Sequence, residues 1–318
     1  MLYRFTRLKF PNRFFFPQVF TLYILLGLTT SCLKTTKVIQ TPQRIQKAKV
    51  LTSSQILNLL TQKAEAVKSI QVSTMKAYFV GGDEEYGKVE RYLGIPGYIL
   101  AQKPSQLRIT LQNPVTKSSL ADLVCGDKEI RMWIPSKNKF FIGPIQLDRI
   151  NLEQIKVNNK ESENPLLNLR PQHFFPALLF NPPVETEDMQ YFLEEEASSS
   201  ARYYVVGVIL KPKDAQTPPQ LARRIWLERY DLQVTKEKFY GQDGRVLAEI
   251  NYSRYQEVNG VNVAHKIDLQ RFPEHYSMTL LLDRVKINLL LQEKSFQLNR
   301  IPSAELIDLS SNGSAVSP

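Results

Sequence analysis

The chain has little of what metal, redox and disulfide chemistry depend on. Of its 318 residues, two are cysteine, Cys32 and Cys125, and three are histidine. Two thiols build neither a disulfide scaffold nor a cysteine-rich metal site. His173, His265 and His275 are too far apart in sequence to show ligand spacing. There is no GxSxG, HExxH, Walker loop or CxxC pair, so the usual signatures of hydrolases, metalloproteases and nucleotide enzymes are missing. No dense block of Lys and Arg occurs despite a net charge of +10, which gives nucleic-acid binding no footprint. No apolar run reaches the roughly 20 residues that carry a helix across a bilayer. These absences point to a protein without cofactor or metal, and to binding rather than catalysis.

What is present is an ordinary globular composition, 43% hydrophobic and 23% charged. The first residues stand apart from it. Arg4, Arg7, Lys9 and Arg13 precede the apolar run VFTLYILLGL at 19–28, and small polar residues lead from there to Cys32. Basic, then apolar, then small is the order of a secretory signal peptide. The junction LTTSC resembles the bacterial lipobox, where cleavage precedes an acylated cysteine; Leu28 stands four before Cys32, and Thr29 holds the place three before it that the pattern gives to a large aliphatic residue. By that resemblance residues 1–31 are a lipoprotein signal peptide and Cys32 becomes a mature N-terminus bearing fatty chains such as palmitate. Ordinary secretion, with Cys32 incidental to the cleavage point, remains the alternative. More than one acyl chain gives stable anchoring, at about 0.8 kcal/mol per buried methylene. Leu33 is not the Asp that marks inner-membrane retention in enterobacteria, so the resemblance favours the outer membrane, with the protein facing the periplasm. Loss of the four leader cations leaves the mature chain at +6.

Residues 32–52 read as the acylated cysteine and a tether, polar and basic without a period. The stretch 52–70 opens with Ser53 and Ser54 as candidate N-caps and sets Ile56, Leu59, Leu60, Lys63 and Val67 at helical spacing. It predicts an N-terminal amphipathic helix. From Ile70 the texture turns to short β segments at 70–80, 87–93, 97–102, 105–112, 119–126, 129–134 and 138–143, split by GGDEE, GIPG, KPS, NPVTKS, GDK and PSKN. Residues 144–200 interrupt the strands, and RPQHFFPALLF at 170–180 predicts a mid-chain helix that closes the core or acts as a lid through Phe174, Phe175, Leu178 and Leu179. Within that interruption the acidic run 194–196 reads as a solvated stretch. Strands return at 201–211, 222–230, 233–240, 245–254, 260–270 and 276–290. The fold class expected is mainly β (α+β): one domain over 53–303 and a frayed tail over 304–318. About thirteen antiparallel strands make a sheet that curls, leaving a concave apolar face.

The helix followed by a strand with GG, then QKPSQLRITLQNP (102–114), DKEIRMWIPSKNKFFIGP (127–144), YGQDGRVLAEINYSRYQEVNGVNVAHKIDLQ (240–270) and KINLLLQEKSFQL (286–298), resembles the LolA/LolB lipoprotein-localisation superfamily. The resemblance implies an open half-barrel with helices as lid, acyl chains inside and no catalytic machinery. Partners would be acyl chains of lipoproteins or lipids, the membrane through the N-terminal anchor, and a periplasmic carrier protein. Ala264 departs from the proline that many such proteins carry. The family's membrane-inserting loop would correspond to Leu93 and Ile95 in YLGIPGY, although Gly94, Pro96 and Gly97 are explained equally well by turn chemistry.

Strand alternation selects Leu107, Ile109, Leu111, Ile225, Leu227, Val263, Ile267, Leu280 and Leu282 as the inner set for lipid contact. His265 falls on the same face as Val263 and Ile267. Trp133, Phe140, Phe141, Tyr203, Trp226 and Tyr252 either line a pocket or fill core, and Cys125 reads as a small buried group. The function expected is envelope lipoprotein sorting by acyl-chain binding. The rivals are an envelope sensor or scaffold on the same fold, and an enzyme acting on envelope lipids with His265 as base.

Overall fold

Thr52 begins the first helix, α1 (Ser53–Ala66), by a capping box: its hydroxyl accepts from the Gln55 N–H, and the Gln55 side chain accepts from the Thr52 N–H. The cap thus lies one residue before the expected serines. Only Thr52 has a glutamine three residues on, whereas Ser53 and Ser54 have Ile56 and Leu57 there. α1 ends at Ala66, earlier than the sequence pattern suggests, because residues from Ser69 onward pair in a sheet.

The computed structural model describes residues 47–83, 88–126, 129–144, 171–183, 186–198, 201–212, 218–273 and 275–309. The leader, the lipobox-like junction, Cys32 and most of the tether lie outside the described residues. Among the described residues a single sheet holds fourteen strands: β1 (Ser69–Asp83), β2 (Lys88–Gln102), β3 (Gln106–Gln112), β4 (Ser119–Gly126), β5 (Glu129–Ile134), β6 (Lys139–Pro144), β7 (Met189–Ala197), β8 (Arg202–Leu210), β9 (Gln220–Glu228), β10 (Val234–Tyr240), β11 (Val246–Val258), β12 (Val261–Arg271), β13 (Tyr276–Ile287) and β14 (Glu305–Asp308). A second helix, α2 (Pro171–Leu178), precedes β7. The spatial order is β14-β6-β5-β4-β3-β2-β1-β13-β12-β11-β10-β9-β8-β7. Two meanders therefore meet along β1 and β13, and the curved antiparallel sheet stays open, with β7 and β14 as its edges. β14 alone runs parallel to its neighbour, β6.

The helix-bearing face carries two apolar clusters. The larger joins β1–β6 and β11–β13 to α2 through Phe174, Ala177, Leu178 and Leu179. The smaller seats Ile56 and Leu60 of α1 on Tyr204, Val206, Ile225, Leu227 and Val234 of β8–β10. On the opposite face, residues 291–306 cover Val124, Trp133 and Phe140 with Phe296, Leu298 and Ile301. Arg108, paired with Asp122, also donates to the Ser295 carbonyl, and Arg131 donates to that of Leu298, so both arginines fasten this segment.

Four expectations are corrected. GIPG is not a turn between strands but part of β2, with register shifts where β2 pairs β1. The portion before Gly97 has β1 as its partner, since β3 pairs only from Gly97 onward, and Pro96 therefore sits where its missing N–H breaks no β2–β3 bond. The interruption at 144–200 contains β7, and the acidic run lies within that edge strand. The strand expected to 290 stops at Ile287, and Glu293–Phe296 forms a 3-10 turn instead of a closing strand. Residues 305–308, placed in the frayed tail by their sequence, form β14. The end of the tether is also fixed: Tyr204 donates to the Lys49 carbonyl and accepts from the Leu51 N–H, while Lys49 N–H donates to the Arg229 carbonyl.

Candidate functional site

A cavity of about 330 Å3 lies between the C-terminal half of α1, the end of α2 and the inner face of β1 and β10–β13. The amphipathic stripe of α1 explains one wall. Ile56, Leu60 and Ala64 are buried against the sheet, and the flank carrying Leu59, Lys63, Ala66 and Val67 borders the open space. α2 contributes Ala177 and Leu178, followed by Phe180. Buried Ile70, Ile267 and Leu282 form the deep end, while exposed Gln62 and Asn262 mark the mouth. The β11–β12 turn that frames the mouth takes left-handed backbone at Asn259 (φ 50°) and Gly260 (φ 79°), the geometry of a two-residue hairpin.

Lys103 ties the two helices together: its ammonium donates to the Ala64 carbonyl at 2.5 Å and to the Phe180 carbonyl at 3.1 Å. Burial lowers its pKa, against the raising effect of Glu65. Beneath the cavity, fully buried Glu237 pairs with Arg223 and accepts from the Tyr252 hydroxyl at 2.8 Å. Arg223 lies between the rings of Phe180 and Phe239 and donates to the Asn181 carbonyl, so the charge is compensated and the chain leaving α2 is anchored. Loss of water, reinforced by Glu237, pushes the Tyr252 hydroxyl well above its ordinary pKa. Tyr255 is raised by burial, with Glu237 and Asp231 adding, and donates to the Val234 carbonyl.

Both tyrosine hydroxyls are thus engaged, and Lys63 is the one cationic lining residue among the described residues. Its ammonium donates to the Gln233 side chain at 2.9 Å. Its pKa is lowered first by burial, with Asp231 opposing and Lys49 adding to the drop.

Of the nine inner-set residues, Val263, Ile267 and Leu282 line the cavity. Leu107, Ile109, Leu111 and Leu280 are packed in the larger cluster, and Ile225 and Leu227 lie under α1 in the smaller. Leu178 of the expected lid borders the cavity; Phe174 and Leu179 are buried in core, with Phe175 packed beside it. Leu93 is 73% exposed whereas Ile95 is buried, so the two do not form a joint apolar tip. Among the six aromatics, Tyr252 reaches the cavity, Phe141 fills the inner core, and Trp133 and Phe140 pack on the opposite face. Trp226 lies between Arg224 and Lys236 and donates to Glu196. The acidic run is paired: Glu194 with Arg224, Glu195 with Arg229. His265 is buried, its Nδ1 3.0 Å from the Val263 carbonyl, and outside the cavity. The side chain of His173 lies outside the described residues, and His275 is exposed. No group of three or more His, Cys, Asp or Glu side chains could hold a metal among the described residues. Burial pushes the Cys125 thiol up to about 11, which removes thiolate reactivity.

Sequence reasoning missed Lys103, Glu237, Arg223 and Gln233. Lys63 did carry a signal, a cation set among apolar residues at helical spacing. Glu237 shares strand parity with Phe239, which is the weaker hint of an inward carboxylate.

No helix among the described residues is long and apolar enough to cross a membrane. A family model described only as an uncharacterized protein matches residues 183–303. No curated protein matches the chain. Among solved structures it is similar to a LolA superfamily protein from Nitrosomonas europaea, at 14% identity over 78% of this chain and 99% of that one, with a TM-score of 0.46. A DUF1329 family protein from Desulfovibrio piger is similar at 12% identity over 76% and 95%, with a TM-score of 0.48. A domain described as an outer membrane lipoprotein-sorting protein, from Vibrio parahaemolyticus, is similar at 13% identity over 76% and 95%, with a TM-score of 0.45.

Proposed function

We propose that this chain is a lipid-anchored envelope protein, held at the periplasmic face of the outer membrane through Cys32, that takes up an acyl chain of a lipoprotein or lipid. The observation that carries this reading is the cavity: apolar at its deep end, roofed by two helices and open beside the β11–β12 turn. Its volume of about 330 Å3 falls at the lower end of the range for ligand clefts, which suits one chain rather than several. Transfer of a chain from water contributes about 0.8 kcal/mol per methylene and asks for no catalytic group.

Native mass spectrometry of the full chain, extracted gently from a bacterial envelope, tests the reading. Co-purifying acyl species are expected, and Val263→Trp, which fills the cavity from a wall position, should remove them with the melting temperature kept within a few degrees. A wild-type protein that is empty and ignores added lipopeptide would sink it. One observation favours a scaffold role in that event: six of the nine inner-set residues are packed into solid core, leaving the cavity as a local feature of a filled interior.

A further inference from the structure

The cavity is chemically divided. Buried Ile70, Ile267 and Leu282 line its inner part with apolar side chains. Exposed Gln62 and Asn262 mark its mouth, and next to Gln62 the half-buried Lys63 donates to buried Gln233. A ligand that is apolar throughout would leave the mouth groups to water, and a small polar ion would leave the floor unfilled. An amphiphile satisfies both ends.

The sign of its head group follows from the charges around the mouth. Lys63 feels Asp231, which favours its charge, and less strongly Lys49, which opposes it; two cations and one carboxylate leave a single positive charge in excess there. Asp231 is held within its own turn, accepting from the Gln233 N–H at 2.9 Å. Of the three ammonium protons, Gln233 engages one, and the tyrosine hydroxyls at the cavity are committed to Glu237 and Val234. Building on the acyl-chain reading above, we infer that the ligand is a single-chain amphiphile with an anionic head group, carboxylate or phosphate monoester, seated on the Lys63 ammonium at the mouth. Burial works against the charged form of Lys63 in the empty protein, Asp231 offsets this only in part because the pKa stays lowered, and an anion at the mouth supplies further compensation.

Photo-crosslinking in bacterial membranes tests this with the full chain. The probes are a diazirine-bearing sixteen-carbon fatty acid, its methyl ester and the matching lysophosphatidate, with labelled peptides mapped by mass spectrometry. Labelling of residues 255–264 by the acid or by the lysophosphatidate should exceed that by the ester about tenfold, a gap that one charge-assisted contact supplies. Whichever anion labels more strongly identifies the source of the head group. Lys63→Met should reduce anion labelling to the ester level, and Lys63→Arg should retain it. Equal labelling by acid, lysophosphatidate and ester, or an unchanged preference in Lys63→Met, overturns the head-group inference while leaving the acyl cavity standing. Absence of cavity labelling by every probe removes the acyl-chain reading itself.

Discussion

The hydroxyls of Tyr252 and Tyr255 are both held neutral by lost hydration and by nearby carboxylates. Below about pH 10 they carry their protons in folded and unfolded chains alike; above it only the unfolded chain releases them, so stability falls as pH rises. The loss approaches 1.4 kcal/mol per pH unit for each group. Urea midpoints measured from pH 9 to 11 should show this decline, and the double variant Tyr252→Phe/Tyr255→Phe should flatten it; an equally steep limb in the variant rejects the assignment. Glu237 provides a second case. Arg223→Met strands a fully buried carboxylate, with an expected cost of about 3–5 kcal/mol in chemical denaturation. Adding Glu237→Leu should recover most of it, because the uncompensated charge is then gone. Neither tyrosine nor the ion pair could be assigned a partner from sequence, since strand alternation orders residues along one strand and is silent about which strands become neighbours. The inner positions of β3 were legible because Leu107, Ile109 and Leu111 alternate cleanly with polar residues.

At the level of elements, period and punctuation identified most strands, and failed where local chemistry and tertiary pairing disagree. Gly94, Pro96 and Gly97 look like a turn, yet β1 continues alongside them and keeps β2 extended. Gly97 has a further reason to be glycine: a Cβ there would lie 2.3 Å from the backbone carbonyl oxygen of Thr110. Gly97→Ala should therefore cost about 1–3 kcal/mol in urea unfolding, as overpacking does. A loss below a few tenths would mean that β3 yields freely. Thr52→Ala removes the α1 cap and should cost about 1 kcal/mol. Because α1 forms the cavity roof, hydrogen exchange in its first turn should quicken in that variant. β7 escaped notice because EEE is a poor strand former alone; it is held by pairing with β8 and by Arg224 and Arg229 across the sheet.

At the scale of the whole molecule, the C-terminal segment finishes one side of the sheet. β14 caps β6, and the segment leading to it covers Phe140 on the outer face. Truncation after residue 299 should expose β6 and give concentration-dependent dimers or larger species in light scattering, since an unpaired strand is a template for another chain. Restoration of a monomer by Ile142→Lys in the truncated chain would tie the association to that edge; a truncated chain that stays monomeric would show the edge to be harmless. The curved antiparallel class was legible from the regular spacing of strands and turns, whereas the cavity's position was not, because it depends on where α1 and α2 settle. The seam between the two meanders also bears on how quickly the fold can be completed. Ser69, which opens β1, bonds to Leu289 just beyond β13, 220 residues further along the chain. Closure over such a separation is entropically unfavourable, and long-range strand pairing slows folding. A chain entering the compartment where it folds therefore carries β1 with one flank open until nearly all of it has arrived, which places its greatest exposure to misassembly before the sheet is complete rather than in the finished protein.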